Sequence, residues 1–135
     1  VPLLMLYPDN TFYFISPNEL KLDAEYRKFL VDNNVKFEEL NELDGMLPQV
    51  DVLYMTRVQK ERFKNEADYE KVKDTFILTS EHVSKLKGDA IIMHPLPRIN
   101  EIHTDIDQDS RAAYFRQAQN GLYVRMSLLL YAFGL

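Results

Sequence analysis

No cysteine occurs anywhere in the chain. That excludes a disulfide framework, a thiolate zinc site and a thiol nucleophile. Glycine is scarce, with four residues scattered at positions 45, 88, 121 and 134. No glycine-rich cradle for a phosphate group is therefore present. Positive charge is in deficit: sixteen Lys and Arg stand against twenty-one Asp and Glu, a formal net charge of −5. A chain of this balance lacks the basic face that a nucleic-acid backbone demands. The longest uncharged apolar stretch, Met126 to Leu135, falls far short of a membrane span. No repeat, low-complexity tract or basic-then-apolar leader segment is visible. The expectation is a cytoplasmic protein with neither nucleic acid nor membrane as partner.

What is present is 135 residues with 46% hydrophobic and 27% charged side chains, one domain's worth of ordinary globular sequence. Short apolar runs at Thr11 to Ile15, Val35 to Leu40, Asp51 to Met55, Thr75 to Leu78 and Ala90 to Met93 read as strands. The first and third are apolar on both faces, the pattern of buried strands. Between them lie helical patterns. Tyr26, Phe29 and Leu30 space a helix over Asp23 to Asn33, with Asp23 as its N-cap. A short helix is expected over Glu42 to Leu47, another around Ala67 to Val72, and a third capped by Thr79 or Ser80 and running to Leu86. From Phe115 through Ala118, Leu122, Met126 and Leu129 to Phe133, an apolar stripe predicts a long final helix, bent at Asn120-Gly121. Alternating strands and helices predict an α/β class with a mainly parallel, doubly wound sheet. Ligands of such sheets bind outside the carboxyl ends of the strands.

Two segments at those ends are chemically unusual. Thr56-Arg57-Val58-Gln59-Lys60-Glu61-Arg62 places Arg57 and Gln59 in alternation, so that both can face one ligand. A guanidinium fork and an amide suit a carboxylate, and Glu61 can hold Arg57 from behind. The same run also reads as a solvated charged loop. His94-Pro95-Leu96-Pro97-Arg98 carries two prolines around one leucine. It reads either as a fixed display of carbonyl oxygens or as a rigid turn over a buried, satisfied His94. The reversal such packing needs predicts a cis Leu96–Pro97 bond. Asp105 to Asp109, with His103 nearby, has metal-like composition. The calcium-loop template places Ser110 and Arg116 where Gly and Glu are required, so calcium is excluded. These acids instead suit the start of the final helix. Arg125, one position off the apolar stripe, reads as a snorkelling arginine or as a charge aimed at the site.

Asp51 to Arg62 resembles the aspartate-binding loop of the aspartate carbamoyltransferases, and His94 to Ile102 resembles their other signature. Arg111 to Ala118 and Asn120 to Met126 resemble their C-terminal helices. Ornithine carbamoyltransferases carry a cysteine in place of Pro95 and lack the Thr-Arg-Val-Gln run, so the resemblance is to the aspartate enzymes. It implies transfer of a carbamoyl group from carbamoyl phosphate to the amine of L-aspartate in pyrimidine biosynthesis. No cofactor or metal is implied, and the implied assembly is a homotrimer of a longer chain. Carried over, Arg57 and Gln59 bind aspartate, while the carbonyls of Pro95 and Leu96 hold the carbamoyl group or the attacking amine. Glu61, Arg62 and Glu101 form salt links that position a mobile loop and close the domains, and Arg125 is an auxiliary charge. Residues 1–135 are then the aspartate-binding domain, without its first strand and without the carbamoyl-phosphate half, and inactive alone. The alternatives are a non-catalytic binding or regulatory module of the same fold, or a carbamoyltransferase for another amine.

Overall fold

A computed structural model describes every residue from Val1 to Leu135. Its contacts sort into two compact units, Val1–Met46 and Leu47–Leu135. In the first, strand β1 (Thr11–Ile15) pairs in parallel with β2 (Lys36–Leu40), in the register Thr11 to Lys36 through Ile15 to Leu40. The connection is helix α1 (Ala24–Asp32), the crossover that parallel strands require. Asp23 occupies the N-cap position without a side-chain hydrogen bond to the helix. At the other end Asn34 adopts φ 53°. The Asn34 amide donates to the Val31 carbonyl at 3.0 Å, and the Val35 amide to the Leu30 carbonyl at 3.0 Å. That pair of bonds satisfies two orphan carbonyls and turns the chain into β2. Leu30 is buried beneath the helix. The Arg27 guanidinium grips the Glu39 carboxylate at 2.6 and 3.1 Å, which ties α1 to β2.

In the second unit β3 (Val52–Tyr54) pairs in parallel with β4 (Ile91–Met93), Val52 opposite Ile91 and Tyr54 opposite Met93. Between them lie helices α2 (Glu66–Val72) and α3 (Ser80–Lys85). Asn65 caps α2 by accepting from the Asp68 amide at 2.9 Å. His82 Nδ1 accepts from the Thr79 amide at the start of α3. Helix α4 (Tyr114–Phe133) closes the chain and ends at Gly134, whose φ of 70° is a conformation glycine adopts at no steric cost. The other edge of β4 is held by the residues before α4. Ile92 donates to the Arg111 carbonyl and accepts from the Ala113 amide, each at 2.8 Å. Leu53, Met55, Leu78, Ile92, Ile102 and Tyr114 are buried in this unit.

Every strand pairing is parallel and helices separate the paired strands, which is the predicted class. Several local expectations change. Glu42 to Leu47 forms turns, not a helix. Thr75 to Leu78 is not a strand: Leu78 alone forms a parallel bridge, to Ile102. The ladder cannot extend toward Ile99 and Asn100, because their amides turn to the Glu101 carboxylate. β1 is half-buried, and β3 alternates, with Leu53 and Met55 inside and Val52 and Tyr54 exposed. α4 runs unbroken through Asn120-Gly121. Its apolar stripe, including Phe115, Leu122, Met126, Leu129 and Phe133, is exposed. No helix is long and apolar enough to cross a membrane.

Candidate functional site

Parallel pairing of β3 and β4 delivers both unusual segments to the same end of the same sheet. The Met55 amide donates to the Met93 carbonyl at 2.9 Å, continuing the pairing one residue beyond the strands. Thr56 to Gln59 then leaves one strand and His94 to Arg98 leaves its neighbour. This is the position at which α/β sheets present ligands.

On the first segment each candidate side chain is held by a neighbour in sequence. Arg57 Nη2 lies 3.4 Å from Glu61 Oε1, a long and exposed pair. Arg62 Nε donates to Gln59 Oε1 at 2.6 Å. The 3-10 turn Lys60–Arg62 produces both contacts by folding Glu61 and Arg62 back over the extended residues before it. Lys60 is in turn paired with Glu66, at the start of α2.

The second segment is fixed more firmly. Between His94 and Arg98 the prolines leave one backbone donor, Leu96, and it donates to His94 Nδ1 at 2.8 Å. Leu96 has φ 48° and the Leu96–Pro97 bond is cis, as the sequence predicts. The carbonyls of Pro95 and Leu96 accept no hydrogen bond within the chain. The turn carries features of both sequence readings, although of the two His94 ring nitrogens only Nδ1 makes a hydrogen bond. The carbonyls are displayed, and His94 is buried, with 1% of its surface exposed.

His94 Nε2 lies 2.7 Å from Glu101 Oε1, a close buried approach of the two groups in which neither atom completes a hydrogen bond. Glu101 Oε2 accepts from the amides of Ile99 at 3.0 Å and Asn100 at 3.1 Å. Burial works to raise the Glu101 carboxyl, but the backbone donors and His94 outweigh it, so the group lies below the ordinary carboxylate range. The carboxylate is 4% exposed and its contacts stay within its own loop. The resemblance implies a salt link at domain closure for Glu101; within this chain its carboxylate faces His94 and the amides of Ile99 and Asn100.

Three further contacts escape sequence reasoning. Gln117, in the first turns of α4, accepts from the His94 amide at 3.0 Å and donates to the Tyr54 hydroxyl at 2.9 Å. One side chain thus ties the ends of both strands. Arg98 forks onto Asp107, which also accepts from the Tyr114 hydroxyl at 2.5 Å. The Arg98 guanidinium also lies 5.5 Å from the Tyr114 ring centre. Hydrogen bonding to Arg98 holds the Asp107 carboxyl down. Burial, reinforced by Asp107, pushes the Tyr114 phenol up to about 12. Finally, Asp109 pairs with Arg111 at 2.9 and 2.8 Å, and that guanidinium also donates to the carbonyls of Leu86 and Lys87. The Arg111 hydrogen bonds lower Asp109 to about 2. Two of the acids expected to favour the helix start are thus partners of named arginines. Spacing in the sequence offers no signal for any of these pairs. Arg125 is exposed, forms no ion pair, and lies back along α4 with its guanidinium over Gly121.

Fold and strand ends together define a parallel α/β domain with two chemically unusual segments at the carboxyl edge of one sheet. The family model for the Asp/Orn binding domain of aspartate/ornithine carbamoyltransferases matches residues 3–132, and the chain belongs to that family. It is 45% identical over 134 residues to the aspartate carbamoyltransferase catalytic subunit of Clostridium novyi (strain NT), covering 99% of this chain and 44% of that protein. The catalytic subunit of M. jannaschii aspartate transcarbamoylase superposes with a TM-score of 0.84 at 43% identity, covering 95% of this chain and 42% of that one. Aspartate transcarbamoylase from Trypanosoma cruzi, solved in complex with carbamoyl phosphate and aspartate, superposes with a TM-score of 0.79 at 31% identity, covering 88% and 40%. The chain thus spans less than half the length of these relatives.

Proposed function

We propose that the chain is the aspartate-binding part of an aspartate carbamoyltransferase, which joins the carbamoyl group of carbamoyl phosphate to the amine of L-aspartate. The observation that carries this reading is the pairing of β3 with β4. It sets the Arg57–Gln59 segment beside two carbonyls, of Pro95 and Leu96, that accept nothing from the chain itself. Arg57 grips a carboxylate of aspartate, with Gln59 adding a donor and an acceptor. The Pro95 and Leu96 carbonyls accept from the carbamoyl NH₂ or the attacking amine. The amine nitrogen bonds to the carbonyl carbon. The bond from that carbon to the phosphate oxygen then breaks, phosphate leaves with the electron pair, and the amine loses a proton. Orientation and electrostatic stabilisation of the tetrahedral intermediate supply the rate, without a cofactor. The Arg57–Glu61 and Gln59–Arg62 contacts support a loop-positioning role for Glu61 and Arg62, which change partners as the domains close. Arg125 acts as an auxiliary charge. The working assembly is a cytoplasmic homotrimer of the full-length chain, serving pyrimidine biosynthesis.

The test is an assay of the full-length protein with carbamoyl phosphate and either aspartate or ornithine, alongside complementation of a pyrimidine-requiring strain lacking this activity. Carbamoyl aspartate formation and growth without added pyrimidine are expected. Ornithine turnover, or none with either amine, overturns the reading. A sedimentation measurement checks the trimer.

A further inference from the structure

The tautomer of His94 follows from its two contacts. Nδ1 accepts from the Leu96 amide at 2.8 Å, so it carries a lone pair and no proton. The ring proton is therefore on Nε2, the nitrogen that lies 2.7 Å from Glu101 Oε1. The other Glu101 oxygen, Oε2, accepts from the amides of Ile99 and Asn100, which fixes the carboxylate with Oε1 toward the ring. The result is one connected set: the loop amides donate to Glu101, the Glu101 carboxylate faces the Nε2 side of His94, and the single amide between two prolines donates to His94 Nδ1. Leu96 sits at φ 48°, a region that a side chain with a Cβ disfavours, and its amide bond to His94 holds it there. The two free carbonyls are those on either side of that amide.

We infer that His94 and Glu101 form a buried tautomer lock that positions the Pro95 and Leu96 carbonyls for the transfer reaction. Both are positioning residues, acting through the backbone of the turn. The consequence for the reaction rests on the function proposed above, whereas the tautomer itself does not. Glu101→Gln is nearly isosteric, yet it reverses the lock. Its amide oxygen stays with the Ile99 and Asn100 amides, so its NH₂ faces His94 Nε2, which must become an acceptor. The ring proton moves to Nδ1 and opposes the Leu96 N–H, donor against donor. His94→Asn is the conservative partner, because an asparagine oxygen can accept from the amide two residues on.

The experiment uses the full-length enzyme labelled with ¹⁵N-histidine. Solid-state ¹⁵N spectra report the tautomer, and loss of one signal in His94→Asn assigns it. The expected result is an Nε2-protonated His94 that becomes Nδ1-protonated in Glu101→Gln. With it, kcat falls roughly 10–100-fold while KM for aspartate moves less than about 3-fold, because the lost geometry acts on the reacting amine and not on the carboxylates. His94→Asn retains more activity than His94→Ala, and Glu101→Gln costs little further in the His94→Asn background. An unchanged tautomer or an unchanged kcat in Glu101→Gln overturns the lock, as does His94→Asn behaving like His94→Ala. Should Glu101→Gln fail to fold, the comparison of His94→Asn with His94→Ala decides. If the unaltered enzyme shows no aspartate-dependent transfer, the proposed function fails, and the spectra still decide whether His94 is locked.

Discussion

Replacing Arg57 with alanine separates binding from stability, and the structure sets the size of the effect. The only partner of Arg57 is Glu61, at 3.4 Å, and both side chains are more than a third exposed. A pair of that kind contributes at most about 1 kcal/mol. Arg57→Ala should therefore leave the thermal midpoint nearly unchanged. In the proposed function, by contrast, the guanidinium grips a substrate carboxylate through two parallel hydrogen bonds. Bonds to charged groups contribute roughly 1.5–3 kcal/mol each. Allowing for the weak contact with Glu61 that binding must displace, the loss is about 3–5 kcal/mol in kcat/KM for aspartate, or about 10²–10⁴-fold. Lysine should not restore it, since a point charge lacks the fork. The assay is steady-state kinetics on the full-length enzyme with both substrates varied, plus direct binding of carbamoyl phosphate. Near-normal aspartate kinetics, or damage chiefly to carbamoyl phosphate binding, would refute the reasoning.

The 135-residue chain by itself should show no carbamoyl transfer above background, since relatives of this family are more than twice as long. Turnover in a purified sample would contradict that. It should also unfold at low denaturant, because α4 exposes a full apolar stripe to water; a high midpoint at monomer concentrations would oppose this. Asp109 gives a pH test. Its folded pKa, about 2, lies below the ordinary 3.8, so its contribution is complete above pH 4 and disappears as pH falls toward 2. Asp109→Asn should cost about 2 kcal/mol in chemical denaturation at pH 7 and little near pH 2; an equal cost at both would remove the Arg111 pairing as its cause. Tyr114→Phe loses the hydroxyl bonded to Asp107 and should destabilise by about 1–2 kcal/mol, read from the same denaturation curves.

Local order was legible where neighbours along the chain decide it. The run Thr11 to Ile15 is a strand because β-branched and aromatic residues lie between turn-forming Asn10 and Ser16-Pro17. The helix of Tyr26, Phe29 and Leu30, the short helix around Ala67 to Val72 and the helix start at Thr79 follow from spacing of the same short range. So does the alternation of Arg57 and Gln59. Local patterning failed at Thr75 to Leu78, which has the composition of a strand but finds one bridge, since a ladder needs a partner whose amides are free. It failed also for α4, whose periodicity marks an apolar face but not what that face meets.

By itself the sequence determined most of the element types, the acidic cysteine-free character, and the two chemically unusual segments that follow the strands. Only the tertiary structure decided how those segments are held. Parallel pairing of β3 with β4 brings residues 57 and 95 to one edge, and Gln117 joins Tyr54 to His94 across 63 and 23 positions of chain. Arg98 takes Asp107, Arg111 takes Asp109, and His94 takes Glu101, each from several acids within similar reach along the chain. A polar side chain selects its partner by the distance and desolvation that the packed fold imposes. Neither quantity exists until strands separated by some forty residues have met.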